Sequence, residues 1–160
     1  MRKALVCLLL TLACTAHADT FSGKVIHVAD GDTITVLDNA HTQHKVRLAG
    51  IDAPESKQAF GHASKQSLVA KVTGQYVVIE WDKVDRFGRK VGKVLLGGQD
   101  VNLEQVRRGL AWHYKAYQLE QSIDDQKAYS EAESGAMTAC IGLWRDATPV
   151  APWDFRHLKK

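Results

Sequence analysis

Three β-rich runs follow one another near the start of the chain and constrain its fold more than any other feature. They cover residues 21–28, 33–37 and 43–51, with turn-forming residues at 30–32 (Asp-Gly-Asp) and 38–39 (Asp-Asn) between them. Runs joined by connections this short pair as neighbouring antiparallel strands. We therefore predict that this part of the chain forms a three-strand meander.

The third run also orients one charged side chain. Val46 and Leu48 alternate with Lys45 and Arg47, and successive side chains of a strand point to opposite faces. If the aliphatic side chains face the core, Arg47 projects from the other surface of the sheet. Residues 53–56 (Ala-Pro-Glu-Ser) then break the strand.

The rest of the chain alternates between helical and extended patterns. The predicted elements are a helix over 61–72, a strand over 75–81, a charged loop over 82–89, a strand over 90–96, a turn at 97–98 and helices over 102–108 and 123–140. Leu68, Val69 and Val72 are expected to share the buried face of the first helix. About five short strands with about three helices indicate an α+β protein built on a five-stranded β-barrel of the OB type.

Residues 1–18 have the pattern of a secretory signal peptide. Two basic residues precede an apolar run over 4–13, and residues 16–18 (Ala-His-Ala) form a small-x-small cleavage site. A lipoprotein signal that ends at Cys14 is the alternative. We expect cleavage at the end of this segment, export to the periplasm or the medium, and one mature domain over 19–160.

Loss of the signal peptide changes both the charge and the cysteine content. The whole chain has 21 Lys and Arg against 18 Asp and Glu, and removal of two basic residues leaves a formal charge of about +1. The global charge therefore does not indicate a nucleic-acid partner. Only Cys140 remains, which excludes an intramolecular disulfide. We expect Cys140 to be a buried small hydrophobic side chain, with a reactive or dimer-forming thiol as the alternative.

The mature protein is expected to be a monomer without stable membrane association. No run after the signal peptide approaches the roughly 20 apolar residues that a membrane-spanning helix needs.

Acidic and basic side chains cluster at the predicted strand ends and turns. They are Asp30, Asp32, Arg47, Asp52, Glu55, Arg86 and Arg89. Each alone could be an ordinary turn or surface residue. Together they offer carboxylates to hold a hard cation, a further carboxylate to act on water, and guanidinium groups to bind phosphate. The cluster therefore indicates metal-assisted cleavage of a phosphodiester.

Three segments resemble the signatures of the thermonuclease, or staphylococcal-nuclease-like, family. They are residues 30–33 (Asp-Gly-Asp-Thr), 47–55 (Arg-Leu-Ala-Gly-Ile-Asp-Ala-Pro-Glu) and 87–89 (Phe-Gly-Arg). Residues 101–111, and residues 142–144 with 152–153, also resemble exported bacterial members. The resemblance covers roughly residues 21–156, and three motifs in the right order are more specific than any one. It implies the same OB-type barrel.

The resemblance implies a role for each matching residue. It places calcium ligands at Asp32, Asp52 and the backbone carbonyl of Ala53, catalytic groups at Arg47, Glu55 and Arg89, and an acid near the metal at Asp30. The family often has threonine in place of Ala53, but alanine still supplies a carbonyl oxygen. The implied activity is cleavage of DNA and RNA with little sequence preference, which leaves 3′-phosphate and 5′-hydroxyl ends. Calcium rests on the resemblance, since these ligands also suit Mg²⁺.

A nucleotide pocket is implied at Arg86, Phe87 and Tyr117, where aromatic faces can pack on a base or sugar. Phe87 stands where tyrosine is frequent in the family, so a hydroxyl hydrogen bond is missing. Two other functions remain open: a non-catalytic OB-type module that binds nucleic acid, and a calcium-stabilised domain that binds none. The complete set of acids and arginines argues against the first, and the second leaves the arginine pair without a purpose.

Overall fold

A closed five-stranded β-barrel forms the centre of the molecule, whose computed structural model describes residues 19–158. The strands are β1 (Asp19–Val28), β2 (Thr33–Asp38), β3 (Gln43–Leu48), β4 (Ile51–Asp52), β5 (Tyr76–Val84), β6 (Lys90–Leu96), β7 (Gln99–Asp100) and β8 (Trp112–His113). The α-helices are α1 (Gly61–Val72), α2 (Val101–Arg107), α3 (Ile123–Thr138) and α4 (Pro152–His157), and 3-10 helices cover Lys115–Glu120 and Gly142–Arg145.

The strand pairing is that of an OB-type barrel, as predicted. β1, β2 and β3 form the expected antiparallel meander, and β1 and β6 both pair antiparallel with β5. A parallel pairing of β3 with β6, with Val46 opposite Lys90 and Leu48 opposite Gly92, closes the barrel. This pairing covers the last three residues of β3, so it covers part of the edge that an open sheet would expose.

Alternation along the strands places aliphatic side chains inside the barrel. Ile34, Val36, Val46, Leu48 and Ile79 are at most 1% exposed. Burial of each such side chain is worth about 1.5–3 kcal/mol. Arg47 lies between two of them and is not part of the core, which confirms the predicted orientation of its side chain away from the barrel interior.

Helix α2 holds the closing strand in place. Its N-terminus is capped by the Asp100 carboxylate, which accepts a hydrogen bond from the Leu103 N–H at 3.0 Å. The fully buried Asn102 accepts a hydrogen bond from the Val94 N–H and donates to the carbonyl oxygens of Ala49 and Gly92, each at 3.1 Å. One amide thus ties β6 to the segment that follows β3.

Two predicted strand ends are wrong. β3 ends at Leu48 rather than at residue 51, because Gly50 takes a φ of +72° and turns the chain. Ile51 and Asp52 then form β4, which pairs with β8 in a separate two-stranded sheet. β5 continues past Trp81 to Val84 by means of a β-bulge, so the charged loop is shorter than predicted.

Three smaller predictions also need correction. Val69 is 38% exposed, while Leu68 and Val72 are buried. Cys140 is exposed, because α3 ends at Thr138 and Cys140 turns away with a φ of +49°. Among residues 19–158 there are four α-helices rather than about three, since α4 begins with a proline in its first turn and is too short to show a helical period.

No helix within the described part of the chain is long and apolar enough to cross a membrane. The predicted signal peptide, residues 1–18, lies outside the described residues and stays a prediction.

Candidate active site

One cleft on the barrel surface, with a volume of about 620 Å³, is lined by every residue that the sequence predicts for the site. Those residues are Asp30, Asp32, Arg47, Asp52, Ala53, Glu55, Arg86, Phe87, Arg89 and Tyr117. They come from the β1–β2 turn, β3, β4 and the residues after it, the β5–β6 loop and the first 3-10 helix. The fold therefore gathers them, while their individual roles stay predictions.

Asp32 is held by hydrogen bonds on both carboxylate oxygens. Oδ1 accepts from the Thr33 hydroxyl at 3.0 Å, and Oδ2 accepts from the Ala53 N–H at 2.7 Å. The Asp32 N–H in turn donates to Asp30 Oδ1 at 3.0 Å, which closes an Asx-type turn. The β1–β2 turn is thus bonded directly to the backbone that follows β4.

The glycine between these two acids lies in a tight space that sequence reasoning missed. A Cβ on Gly31 would lie 2.0 Å from Ser64 Oγ and 2.7 Å from Ala53 Cβ. Gln105, buried in α2, donates from Nε2 to the Gly31 carbonyl at 3.0 Å and to the Ser64 carbonyl at 3.1 Å. A glutamine in a helix carries no sequence signal for this role, because its partners are far away in the chain.

Arg47 joins the two buried aspartates. Its Nη2 lies 2.9 Å from Asp52 Oδ1 and 3.2 Å from Asp32 Oδ2. Its Nη1 donates to the Leu48 carbonyl at 2.9 Å, which fixes the guanidinium against β3. The two carboxylates therefore converge on a single nitrogen atom and face the same point in the cleft.

Burial makes this pair of acids hard to ionise. Burial raises the pKa of Asp32 to about 6, the Arg47 charge opposes the shift, and the Asp30 charge adds to it. Burial also raises the pKa of Asp52, against hydrogen bonds and charge from Arg156 and Arg47 and with the charge of Asp32. Both carboxylates are therefore costly to ionise in the fold, and positive charge nearby, from Arg47 and at Asp52 also from Arg156, offsets part of that cost.

The residues present fit a hard divalent cation. Carboxylate and carbonyl oxygens at Asp32, Asp52 and Ala53 are the donors that Ca²⁺ and Mg²⁺ prefer. Within residues 19–158, no group of three or more His, Cys, Asp or Glu side chains is arranged to hold a metal. The expected set does not require such a group, because it uses two carboxylates and a backbone oxygen.

Asp85 positions Arg89 and was missed by the sequence analysis. Its Oδ2 accepts from Arg89 Nε at 2.8 Å and lies 2.7 Å from Nη2, while Oδ1 accepts from the backbone N–H groups of Phe87 and Arg89. Burial raises the pKa of Asp85, but these hydrogen bonds outweigh it and lower the pKa below its ordinary value. The aspartate four residues before an arginine, ahead of a glycine turn, was the available signal.

The predicted nucleotide pocket has an exposed aromatic surface. Phe87 is 66% exposed, with the guanidinium carbons of Arg86 and Arg89 at 4.8 and 5.3 Å from its ring centroid. Tyr117 packs edge-on against Tyr114 at a centroid distance of 4.9 Å. Lys83 Nζ also lies 5.1 Å from the Tyr117 ring centroid. Both aromatic side chains therefore line the cleft next to positive charge.

Arg156 is the site residue that sequence reasoning missed most completely. It lies in α4, lines the cleft, and donates from Nη1 to Glu55 Oε1 at 2.8 Å and from Nη2 to Asp52 Oδ2 at 2.8 Å. These partners are 101 and 104 residues away along the chain. No spacing rule connects them.

Comparison with known proteins gives matches that cover the barrel and the cleft. The family model described as staphylococcal nuclease homologue matches residues 45–146. The Micrococcal nuclease of Shigella flexneri is 38% identical over an alignment of 169 residues, gaps included, which covers 100% of this chain and 94% of that protein. A Haemophilus influenzae protein named Uncharacterized endonuclease is 38% identical over 148 residues, which cover 92% of this chain and 79% of that protein. An Escherichia coli protein of the same name is 36% identical over 160 residues, which cover 99% of this chain and 100% of that protein.

Proposed function

The chain belongs to the family of staphylococcal nuclease homologues, and from this premise we propose that it is a calcium-dependent endonuclease acting on DNA and RNA with little sequence preference. The observation that carries the proposal is the convergence of Asp32, Arg47, Asp52, Glu55 and Arg89 on one cleft. Two buried acids, a more exposed acid and two arginines are the groups that hydrolysis of an anionic diester needs.

Asp32, Asp52 and the Ala53 carbonyl would hold the cation. When bound, calcium supplies positive charge that offsets the negative charge of the phosphodiester in the transition state. Arg47 is already bonded to both aspartates, so it brings a guanidinium to the same place without further ordering. Preorganised charge of this kind costs little reorganisation during the reaction.

Glu55 is the residue assigned to the attacking water. It orients the water and takes its proton as the water oxygen bonds to phosphorus. The bond from phosphorus to the 5′ oxygen breaks, and Arg89 donates to that oxygen as charge develops on it. The leaving 5′ oxygen takes a proton from solvent water and Glu55 loses its proton to solvent, so the products carry a 3′-phosphate and a 5′-hydroxyl.

Arg86, Phe87 and Tyr117 are assigned to the nucleotide next to the cleaved bond. An aromatic ring packs on any base or sugar, because every base has a π-face. The guanidinium groups above Phe87 add charge without reading base edges. Such a pocket binds nucleic acid with little sequence preference.

The test is cleavage of single-stranded DNA, duplex DNA and RNA by the wild type and Glu55→Gln, with calcium, with magnesium and with chelator. We expect calcium-dependent cleavage by the wild type, with 3′ ends that block primer extension until a phosphatase removes the phosphate. Loss of an acid–base group should lower kcat by about 10²–10⁴-fold. Glu131→Gln, an exposed acid on α3 outside the cleft, is the matched control and should be as active as the wild type.

A wild type that binds nucleic acid but cuts none of the three substrates in any divalent ion would contradict the proposal. The non-catalytic binding module would then replace it.

We also propose that residues 1–18 direct export and are removed, which leaves a periplasmic or secreted protein. The basic start, the apolar run and the small-x-small site support this. The mass of the exported protein should correspond to a chain that begins at Asp19, and a cytoplasmic full-length chain would contradict it.

A further inference from the structure

The guanidinium of Arg156 bridges two acids of the proposed site. Nη2 lies 2.8 Å from Asp52 Oδ2, and Nη1 lies 2.8 Å from Glu55 Oε1 and 3.3 Å from Asp52 Oδ1. The hydrogen bond with Asp52 is the main reason why the pKa of Arg156 is raised above its ordinary value. In this arrangement Arg156 contacts both a predicted cation ligand and the predicted catalytic acid.

Several contacts hold helix α4 against the rest of the molecule and so fix the position of Arg156. Ala151 and Pro152 are buried at its start, and the Trp153 ring stacks on Tyr114 at 5.1 Å with an interplanar angle of 1°. The Val150 carbonyl accepts a hydrogen bond from Gln58 Nε2 at 2.6 Å. Contacts before and within the helix therefore fix its direction, and Arg156 lies one helical turn after Trp153.

The bridge engages both oxygens of the Asp52 carboxylate. Oδ1 accepts from Arg47 at 2.9 Å and from Arg156 at 3.3 Å, and Oδ2 accepts from Arg156 at 2.8 Å. Guanidinium N–H groups thus take three of the roughly four acceptor sites of this carboxylate. A cation bound by Asp52 has to compete for these oxygens, and it carries the same sign of charge as the guanidinium of Arg156. Asp32 differs, since Arg156 makes no hydrogen bond to it among the described contacts.

We propose that Arg156 is a built-in counter-ion of the site, which a bound cation must displace from Asp52, so that Arg156 sets the cation affinity of the protein. The inference rests on the proposed function, because it takes Asp52 to be a cation ligand. Arg156 is a positioning residue, since it acts through Asp52 and Glu55. Its side chain is 42% exposed, so it can move towards solvent when the cation takes its place.

The test is calcium binding by isothermal titration to the wild type, Arg156→Gln and Arg156→Lys, without substrate. If Arg156 competes with calcium, Arg156→Gln should lower the Kd about three- to tenfold, a range that allows for the partial exposure of the pair. The lysine variant keeps the charge but loses the fork, so its Kd should lie between the two. His157→Gln, an exposed neighbour on the same helix, should bind calcium like the wild type.

A thermal melt provides a second readout that does not depend on activity. In chelator, Arg156→Gln should melt below the wild type, because the buried Asp52 loses a partner. Calcium should then raise its Tm by more than it raises that of the wild type. If the glutamine variant does not fold, the lysine variant alone still tests the order of the affinities.

An unchanged or higher Kd in the variants would overturn the inference, since a purely structural arginine would leave calcium binding the same or weaken it. Failure of the proposed function has a different signature. In that case the wild type, Arg156→Gln and Asp52→Asn would all show no calcium binding, which overturns both proposals together.

Discussion

At the scale of single residues, Gly31 is a position where one added carbon atom, a Cβ, would clash with its neighbours. The space where its Cβ would lie is filled by Ser64 Oγ at 2.0 Å, and the residue joins Asp30 to Asp32. Gly31→Ala must displace this turn, Ser64 or Ala53, so we expect cleavage to fall at least about tenfold and stability to fall by about 1–3 kcal/mol. Gly135→Ala, in open space on α3, should instead gain about 0.5–1 kcal/mol. Cleavage rates and urea unfolding of both variants measure these effects. Equal cleavage rates and equal unfolding free energies in the two variants would contradict the prediction.

At the scale of elements, the small sheet of β4 and β8 contains a buried histidine, His113. His113 is fully buried, with Nε2 at 2.8 Å from Gln121 Oε1 and Nδ1 at 3.0 Å from Lys115 Nζ. Burial lowers its pKa below the ordinary 6.5, so below that pH the unfolded chain binds a proton that the folded protein does not. This stabilisation is present above pH 6.5 and is lost as the pH falls. Between pH 7.5 and 5.0 the wild type should therefore lose more unfolding free energy than His113→Gln, measured in urea, and equal losses would contradict the assignment.

At the scale of the whole molecule, the site exists only because the barrel closes. Asn102 supports the parallel pairing of β3 with β6 through three hydrogen bonds, two of them buried and one partly buried. Asn102→Ala removes the side-chain partner of the Val94 N–H and of the Ala49 carbonyl, while the Gly92 carbonyl keeps its hydrogen bond from the Ala49 N–H at 2.8 Å. We therefore expect a loss of about 2–4 kcal/mol in unfolding free energy. Asn39→Ala, at an exposed turn, should change stability by less than about 0.5 kcal/mol. Urea midpoints measure both, and a tolerated Asn102→Ala would show that closure does not rely on this side chain.

Sequence reasoning predicted the parts of the fold and the cleft that depend on local signals. The alternation of Val46, Arg47 and Leu48 predicted which side chain leaves the core, and the meander followed from short turns. Long-range partners were not predictable in this way. Arg156 meets Asp52 and Glu55 across about a hundred residues, and no periodicity encodes that contact.

The same limit applies to the short elements. β4 and β8 have two residues each and form only because they meet, so neither shows a strand pattern of its own. The bulge that lets β5 continue to Val84 is a property of its pairing with β6 rather than of the residues alone.

Asp32 and Asp52 are proposed to hold a cation that cleavage requires, and the calcium dependence of cleavage tests this role. Cleavage rates of the wild type and Asp32→Asn are followed as free calcium is raised from chelator to millimolar levels. We predict no cleavage in chelator, saturation of the wild type with calcium, and a half-saturating concentration at least about tenfold higher in Asp32→Asn, because a charged ligand is lost. Cleavage that persists in chelator, or an identical calcium dependence in the two proteins, would contradict the cation-binding role of the two aspartates.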